Sequence, residues 1–235
     1  MRLALQLVSW AIGLPLMLLV IAALLRGGYR LFPALFIYQI VDFLMTVASL
    51  PPYFAFYFYH DRGAITRMAK WFLWDELLLQ VLVLAVVITL IFRATESIRS
   101  RRMMRVASIG FAVLIAGASF LVHYRPQIPK GVWMALWTRD LNFFCSSPLD
   151  LALWALLLWS RSKDSRLLLV SGGLGIQFAG EAIGESLRGL ASPRRLRALS
   201  YTGSLIVTLV DLLSVYIIWQ AFRNNKGDDA KRAAV

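Results

Sequence analysis

Charge is scarce in this chain: 16% of its 235 residues are Asp, Glu, Lys or Arg, where soluble domains carry about a quarter. The counterpart of that shortage is 59% hydrophobic residues, and a water-soluble fold would have nowhere to put so much apolar surface. Cysteine is scarcer still. Cys145 is the only one; it lies in an apolar stretch, so there is no disulfide framework and the redox compartment is left open. The two histidines, His60 and His123, stand at the ends of apolar runs, where they read as interfacial residues and not as haem ligands within the spans. Their spacing to the acids carries no zinc signature. The last apolar run has no Lys for a retinal Schiff base, and no Walker loop, nucleophile elbow or HExxH occurs anywhere. The expectation is therefore no cofactor, no metal and no catalytic set.

What the chain does have is long apolar runs, at about 4–25, 32–58, 69–92, 106–123, 132–159, 167–187 and 199–222. A span needs roughly 20 apolar residues. Strands of a closed barrel are about half as long and alternate in polarity, so these runs are helices. The fold class is all-α: a polytopic transmembrane bundle of seven spans, forming a single helical domain over 1–225 with a short polar tail over 226–235. The first run is long for a signal peptide and no small-residue cleavage site closes it, so it reads as a retained span. Pro51 and Pro52 interrupt the second run before the aromatic stretch Tyr53–Tyr59, which reads as an interfacial belt. The formal charge of +12 would suggest nucleic acid in a soluble protein. Here the basic residues fill short loops between apolar runs, so their partner is the lipid bilayer surface.

Orientation follows from those loops. One face receives Arg26, Arg30, Arg93, the Arg99–Arg105 cluster, Arg161, Lys163, Arg166 and the basic residues from Arg223 onward; the other receives fewer. The positive-inside bias places the N-terminus outside and the C-terminus in the cytoplasm. The Arg99–Arg105 cluster reads as an anchor on anionic lipid, with docking of a partner protein as the alternative.

The acids break the pattern. Asp42, Asp75, Glu76, Asp140, Asp150, Glu181, Glu185 and Asp211 all lie inside apolar runs, eight of the thirteen acids, against one internal base, Arg139. A charge near the bilayer centre costs about 2.5–3.5 kcal/mol, so such residues face the bundle interior or a wet cavity. At about 1.5 Å per residue, all but Asp150 fall between mid-depth and the outer face, the signature of a cavity open to the outside. Helical spacing places a hydrogen-bonding neighbour beside most of them: Gln39 beside Asp42, Gln80 beside Glu76, Gln177 above Glu181 and Glu185, Ser204 and Thr208 beside Asp211. The candidate ligand- or ion-binding residues are therefore Asp42, Asp75, Glu76, Arg139, Asp140, Glu181 and Asp211, with Arg139 as the internal counter-charge paired to Asp75, Glu76 or Glu181. Isolated acids also serve as interhelical glue in membranes, and both readings stay open. The glycines of the sixth run, Gly172, Gly173, Gly175, Gly180 and Gly184, imply close packing or, as the alternative, an unwound site.

The run Phe32-Pro33-Ala34-Leu35-Phe36-Ile37-Tyr38, the third run with Trp74 and Glu76, and Arg139-Asp140-Leu141 at the fifth together resemble a loose group of uncharacterised bacterial seven-helix membrane proteins. That resemblance implies the topology and a bacterial cytoplasmic (inner) membrane. Two functions remain. One is a carrier of a small molecule or an ion, a proton or another cation, using the intramembrane acids. The other is a sensory or accessory subunit without its own activity, which requires a partner protein in a larger membrane complex. An intramembrane enzyme has the weakest case, because the acids come without a nucleophile or a metal set.

Overall fold

Hydrocarbon offers no partner to a backbone N–H or C=O, so a chain crossing it must satisfy those groups within each segment, which a helix does. A computed structural model of the chain describes residues 2–59, 62–96, 101–124, 127, 130–159, 164–194 and 197–223; the polar tail, His60 and Arg99 lie outside them. The described residues are helical almost throughout and contain no strand. The helices are α1 (Arg2–Ala23), α2 (Tyr29–Leu31), α3 (Pro33–Tyr59), α4 (Arg62–Ala94), α5 (Arg101–His123), α6 (Lys130–Asp140), α7 (Ser147–Trp159), α8 (Ser165–Arg194) and α9 (Arg197–Arg223). Two π turns, Leu24–Gly28 and Leu141–Ser146, join α1 to α2 and α6 to α7. Seven helical stretches are long and apolar enough to cross a membrane, as a multi-pass integral membrane protein requires.

Three departures from the apolar pattern have physical causes. Helix α3 runs straight through Pro51 and Pro52, where an interruption was expected. The two carbonyls that lose their donors belong to Val47 and Ala48, four residues earlier, and the helix continues on the bonds of the remaining residues. The first span reaches Leu31, beyond the expected end near 25, but only across a kink at Gly27, which takes the non-helical φ 126° and ψ −17°, a left-handed conformation that disfavours any side chain. The fifth span is divided by its π turn. Pro148 has no N–H to offer Phe144, and the turn widens so that Ser147 N–H reaches the Asn142 carbonyl, five residues back.

The helices group into two compact units, one holding Phe32–Leu149 and the other Met1–Leu31 with Asp150–Val235. In the first, α3 packs on α4, and α4 and α5 each pack on α6 and on the second π turn. In the second, α9 packs against both α1 and α8. Asp164 caps α8: its Oδ1 accepts the N–H groups of Arg166 at 3.2 Å and Leu167 at 3.5 Å, filling donors that the first helical turn leaves open.

Glycine sets the α8–α9 contact. A Cβ at Gly180 would overlap the Val210 side chain; one at Gly184 would overlap Val207 and lie 2.8 Å from the Gly203 carbonyl. Because lipid tails are as apolar as the side chains, this close approach is a main source of attraction between membrane helices. Five glycines therefore serve packing in an unbroken helix, not an unwound segment. Gly189, by contrast, has nothing within 4 Å of its Cβ position. Gly184→Val should destabilise the protein by about 1–3 kcal/mol, as overpacking does. Gly189→Ala should be neutral or stabilising by up to about 1 kcal/mol through helix propensity. Thermal unfolding in detergent separates the two, and equal effects would mean that the α8–α9 approach is not glycine-dependent.

Candidate functional site

Within the Phe32–Leu149 unit, the polar chemistry runs down one stripe of α5. Ala112, Ala116, Ser119 and His123 recur at helical spacing, and the small residues leave room for groups from the facing span. Cys145 Sγ donates to the Ala112 carbonyl at 3.5 Å, and Trp137 Nε1 donates to the Ala116 carbonyl at 3.0 Å. At the end of the stripe the Asp140 carboxylate meets two side chains at one oxygen. Ser119 Oγ donates to Asp140 Oδ2 at 2.6 Å, and His123 Nε2 lies 2.8 Å from the same atom. Asp140 and His123 are only 20% and 22% exposed. Asp140 Oδ1 takes no hydrogen bond among the described residues.

An aromatic cluster flanks this network. Phe120 is stacked on Tyr124 at 5.3 Å and lies edge-on to Trp133 and Trp137 at 5.5 and 5.4 Å. Phe120 follows Ser119 directly, Tyr124 follows His123, and Trp137 precedes Asp140 by one turn, so rings and acid share the α5–α6 seam. An aromatic face attracts cations electrostatically, and a carboxylate beside it does the same more strongly.

The other candidates of this unit do not join Asp140. Arg139 is exposed and forms no ion pair among the described residues, so the expected counter-charge is absent from the seam. Successive helix residues point about 100° apart, and turning Asp140 toward α5 turns Arg139 away from it. The acid's partners are His123 and Ser119 instead. Glu76 is exposed, while Asp42 and Asp75 are half-buried. Gln80 Nε2 donates to Ser146 Oγ at 3.2 Å, across to the π turn and not along its own helix to Glu76. Gln39 is fully buried, and neither of its amide atoms has a hydrogen-bond partner among the described residues.

In the other unit the expected chain on α8 is partly formed. Gln177 Nε2 donates to Glu181 Oε1 at 3.1 Å, and Ser214 Oγ on α9 donates to Gln177 Oε1 at 3.4 Å. Glu185 leaves the stripe for an exposed pair with Arg188 at 2.9 Å, a contact worth little in solvent. Ser204 and Thr208 donate to the carbonyls of Ser200 and Ser204, each at 3.0 Å. Their protons are spent on their own helix and do not reach Asp211, which is half-buried.

Sequence reasoning passed over the acid that is most enclosed. Asp150 is 2% exposed, and Ser171 Oγ donates to its Oδ1 at 2.9 Å. It also read His123 as merely interfacial and gave Ser119 no role. The available signal was the Ala-x3-Ala-x2-Ser-x3-His stripe in an otherwise apolar helix. Among the described residues no three His, Cys, Asp or Glu side chains gather as a metal site would require. No known family matches the chain, and no similar curated protein or solved structure was found.

The orphaned amide of Gln39 yields a direct test. A buried polar group without a partner costs about 1–3 kcal/mol. Gln39→Met keeps the length and removes the amide, so the variant should melt at the same temperature or higher. A clear drop in melting temperature would mean that the amide finds a partner in the membrane.

Proposed function

We propose that the chain is a multi-pass carrier of small cations in the bacterial cytoplasmic membrane, with its N-terminus outside and its C-terminus in the cytoplasm. The Asp140 network carries this reading. An acid inside a span stays charged only where something offsets the loss of water. Here a hydroxyl and an imidazole hold one carboxylate oxygen, while the second takes no hydrogen bond among the described residues and the group keeps some exposure. A carboxylate held in this way, beside aromatic rings, suits a cation more than an anion or an apolar solute. The surplus of Lys and Arg in the loops assigned to the cytoplasmic side supports the orientation.

The chemistry asked of each group is modest. Ser119 and His123 fix the carboxylate in one orientation, so that a cation meets a preorganised oxygen. The ring faces of the α5–α6 seam offer a weaker attraction that tolerates size and shape. Asp42, Asp75 and Glu76 belong to the same unit and do not bond to it.

The test is flux across a sealed membrane. Proteoliposomes containing the chain and a trapped pH dye are given gradients of Na⁺, K⁺ or tetraethylammonium. Wild type should couple at least one of these gradients to proton movement, and Asp140→Asn, which keeps shape while removing charge, should fold with an unchanged melting profile and lose the flux. Flux equal to that of empty liposomes, with the chain instead co-purifying in a membrane complex, would overturn the carrier in favour of an accessory subunit.

A further inference from the structure

Asp150 belongs to neither the stripe on α5 nor the chain on α8 and α9, and its surroundings are unusual. It is the only charged residue of α7. Among the described residues its hydrogen-bonding partner is Ser171 of α8, at 2.9 Å. One turn further along α8 comes Gly175, where an added Cβ would lie 3.0 Å from Asp150 Oδ2. Ser171 and Gly175 thus form a notch four residues long that holds the carboxylate, one wall donating a hydrogen bond and the other kept bare. Trp154, one turn after Asp150 on α7, sits with its indole nitrogen 3.7 Å from the Cβ position of Gly172, a second point at which α7 meets α8.

A carboxylate enclosed to this degree is short of one positive charge. The charged side chains described in the rest of its unit are Arg26 and Arg30 in the first span, Asp164, Arg166, Glu181, Glu185 and Arg188 at α8, and Asp211 and Arg223 on α9, and among these described residues none forms an ion pair with Asp150. A hydroxyl donor helps orient the group but brings no charge, and an isolated buried charge is far costlier than a hydrogen-bonded neutral one. If Asp150 served only as glue, a second donor on its Oδ2 side would be the natural solution. That side is instead packed against Gly175, so closely that even a methyl group there would crowd Oδ2, and glycine offers no side-chain bond.

We propose that Asp150, Ser171 and Gly175 form a binding site for a small monocation, a proton or an alkali ion, held between α7 and α8. Asp150 supplies the charge, Ser171 an oxygen that donates to the carboxylate or coordinates the ion, and Gly175 the bare wall that lets the carboxylate lie against α8. The site is separate in residues from the Asp140 network and stands whether or not that network moves a solute.

Equilibrium binding tests it without transport. The full chain in lipid nanodiscs is titrated with ²²Na⁺ at alkaline and acidic pH, with choline as the control cation, and the infrared band of protonated carboxylic acids is recorded in parallel. Saturable Na⁺ binding that is displaced by acid and lost in Asp150→Asn assigns the site to an alkali ion. A carboxylic-acid band that disappears in Asp150→Asn, without Na⁺ binding, assigns it to a proton. Ser171→Ala and Gly175→Ala keep the charge and guard against misfolding of the Asp150 variant; each should weaken Na⁺ binding roughly tenfold, the effect of losing one charge-assisted contact, or shift the acid band. Binding and band both unchanged in a folded Asp150→Asn overturn the proposal, whereas binding without flux in proteoliposomes would leave this site standing and remove the carrier.

Discussion

Everything in this protein depends on one constraint: inside the hydrocarbon, a polar group has only the chain itself to bond with. The backbone meets it by staying helical almost throughout, and where Pro148 breaks the ladder the turn widens so that Ser147 N–H reaches a carbonyl five residues back. The side chains meet it unevenly. Asp140 gathers a serine and a histidine from α5, Glu181 takes the amide of Gln177, and Asp150 takes a serine from α8. None of these bonds delivers a full counter-charge from a lysine or arginine. Among the described residues Asp140 and Asp150 each hold their hydrogen bonds on one carboxylate oxygen, and the cation proposals rest on that asymmetry.

Close packing and polar chemistry share the same helix. On α8, Gly180 and Gly184 bring α9 near enough for backbone to touch side chain, while Gly175 and Ser171 do something different for α7. The one stripe of small residues in the sequence therefore divides into two tasks according to which helix lies opposite. The π turn in the fifth span also has two consequences. It absorbs Pro148, and it carries Cys145 to the carbonyl of Ala112 and Ser146 to the amide of Gln80. Such π turns recur at functional positions because they redirect side chains without breaking a helix.

Much of the fold was legible without coordinates. The length and apolarity of seven runs leave helices as the only economical solution, and each run became a helix of spanning length. The ends were less legible. A glycine with positive φ kinks the first span just past Arg26, and a tandem proline that would stop a helix in water is tolerated in α3. Of the site, the spacing of Gln177 and Glu181 was readable because both partners lie on one helix. The partners of Asp140 were not, since Ser119 and His123 lie 21 and 17 residues away on a helix whose rotation no local pattern sets. Arg139 was misassigned for the same reason: adjacency in sequence put it beside the acids, while helical geometry turned it away. Asp150 was discounted because it lay off the depth shared by the others, although its enclosure depends on a serine and a glycine of another helix.

The most direct measurement concerns the bond that anchors the seam. The chain has two histidines, so ¹⁵N-imidazole labelling gives a spectrum simple enough to assign by substituting one of them. With the carboxylate of Asp140 at hydrogen-bond distance from His123 Nε2, Asp140→Asn should move the His123 nitrogen resonances and leave those of His60 in place, with Ser119→Ala producing a smaller shift of the same residue. Spectra in which both histidines are indifferent to Asp140 would contradict the network, and with it the cation-binding role assigned to the α5–α6 seam.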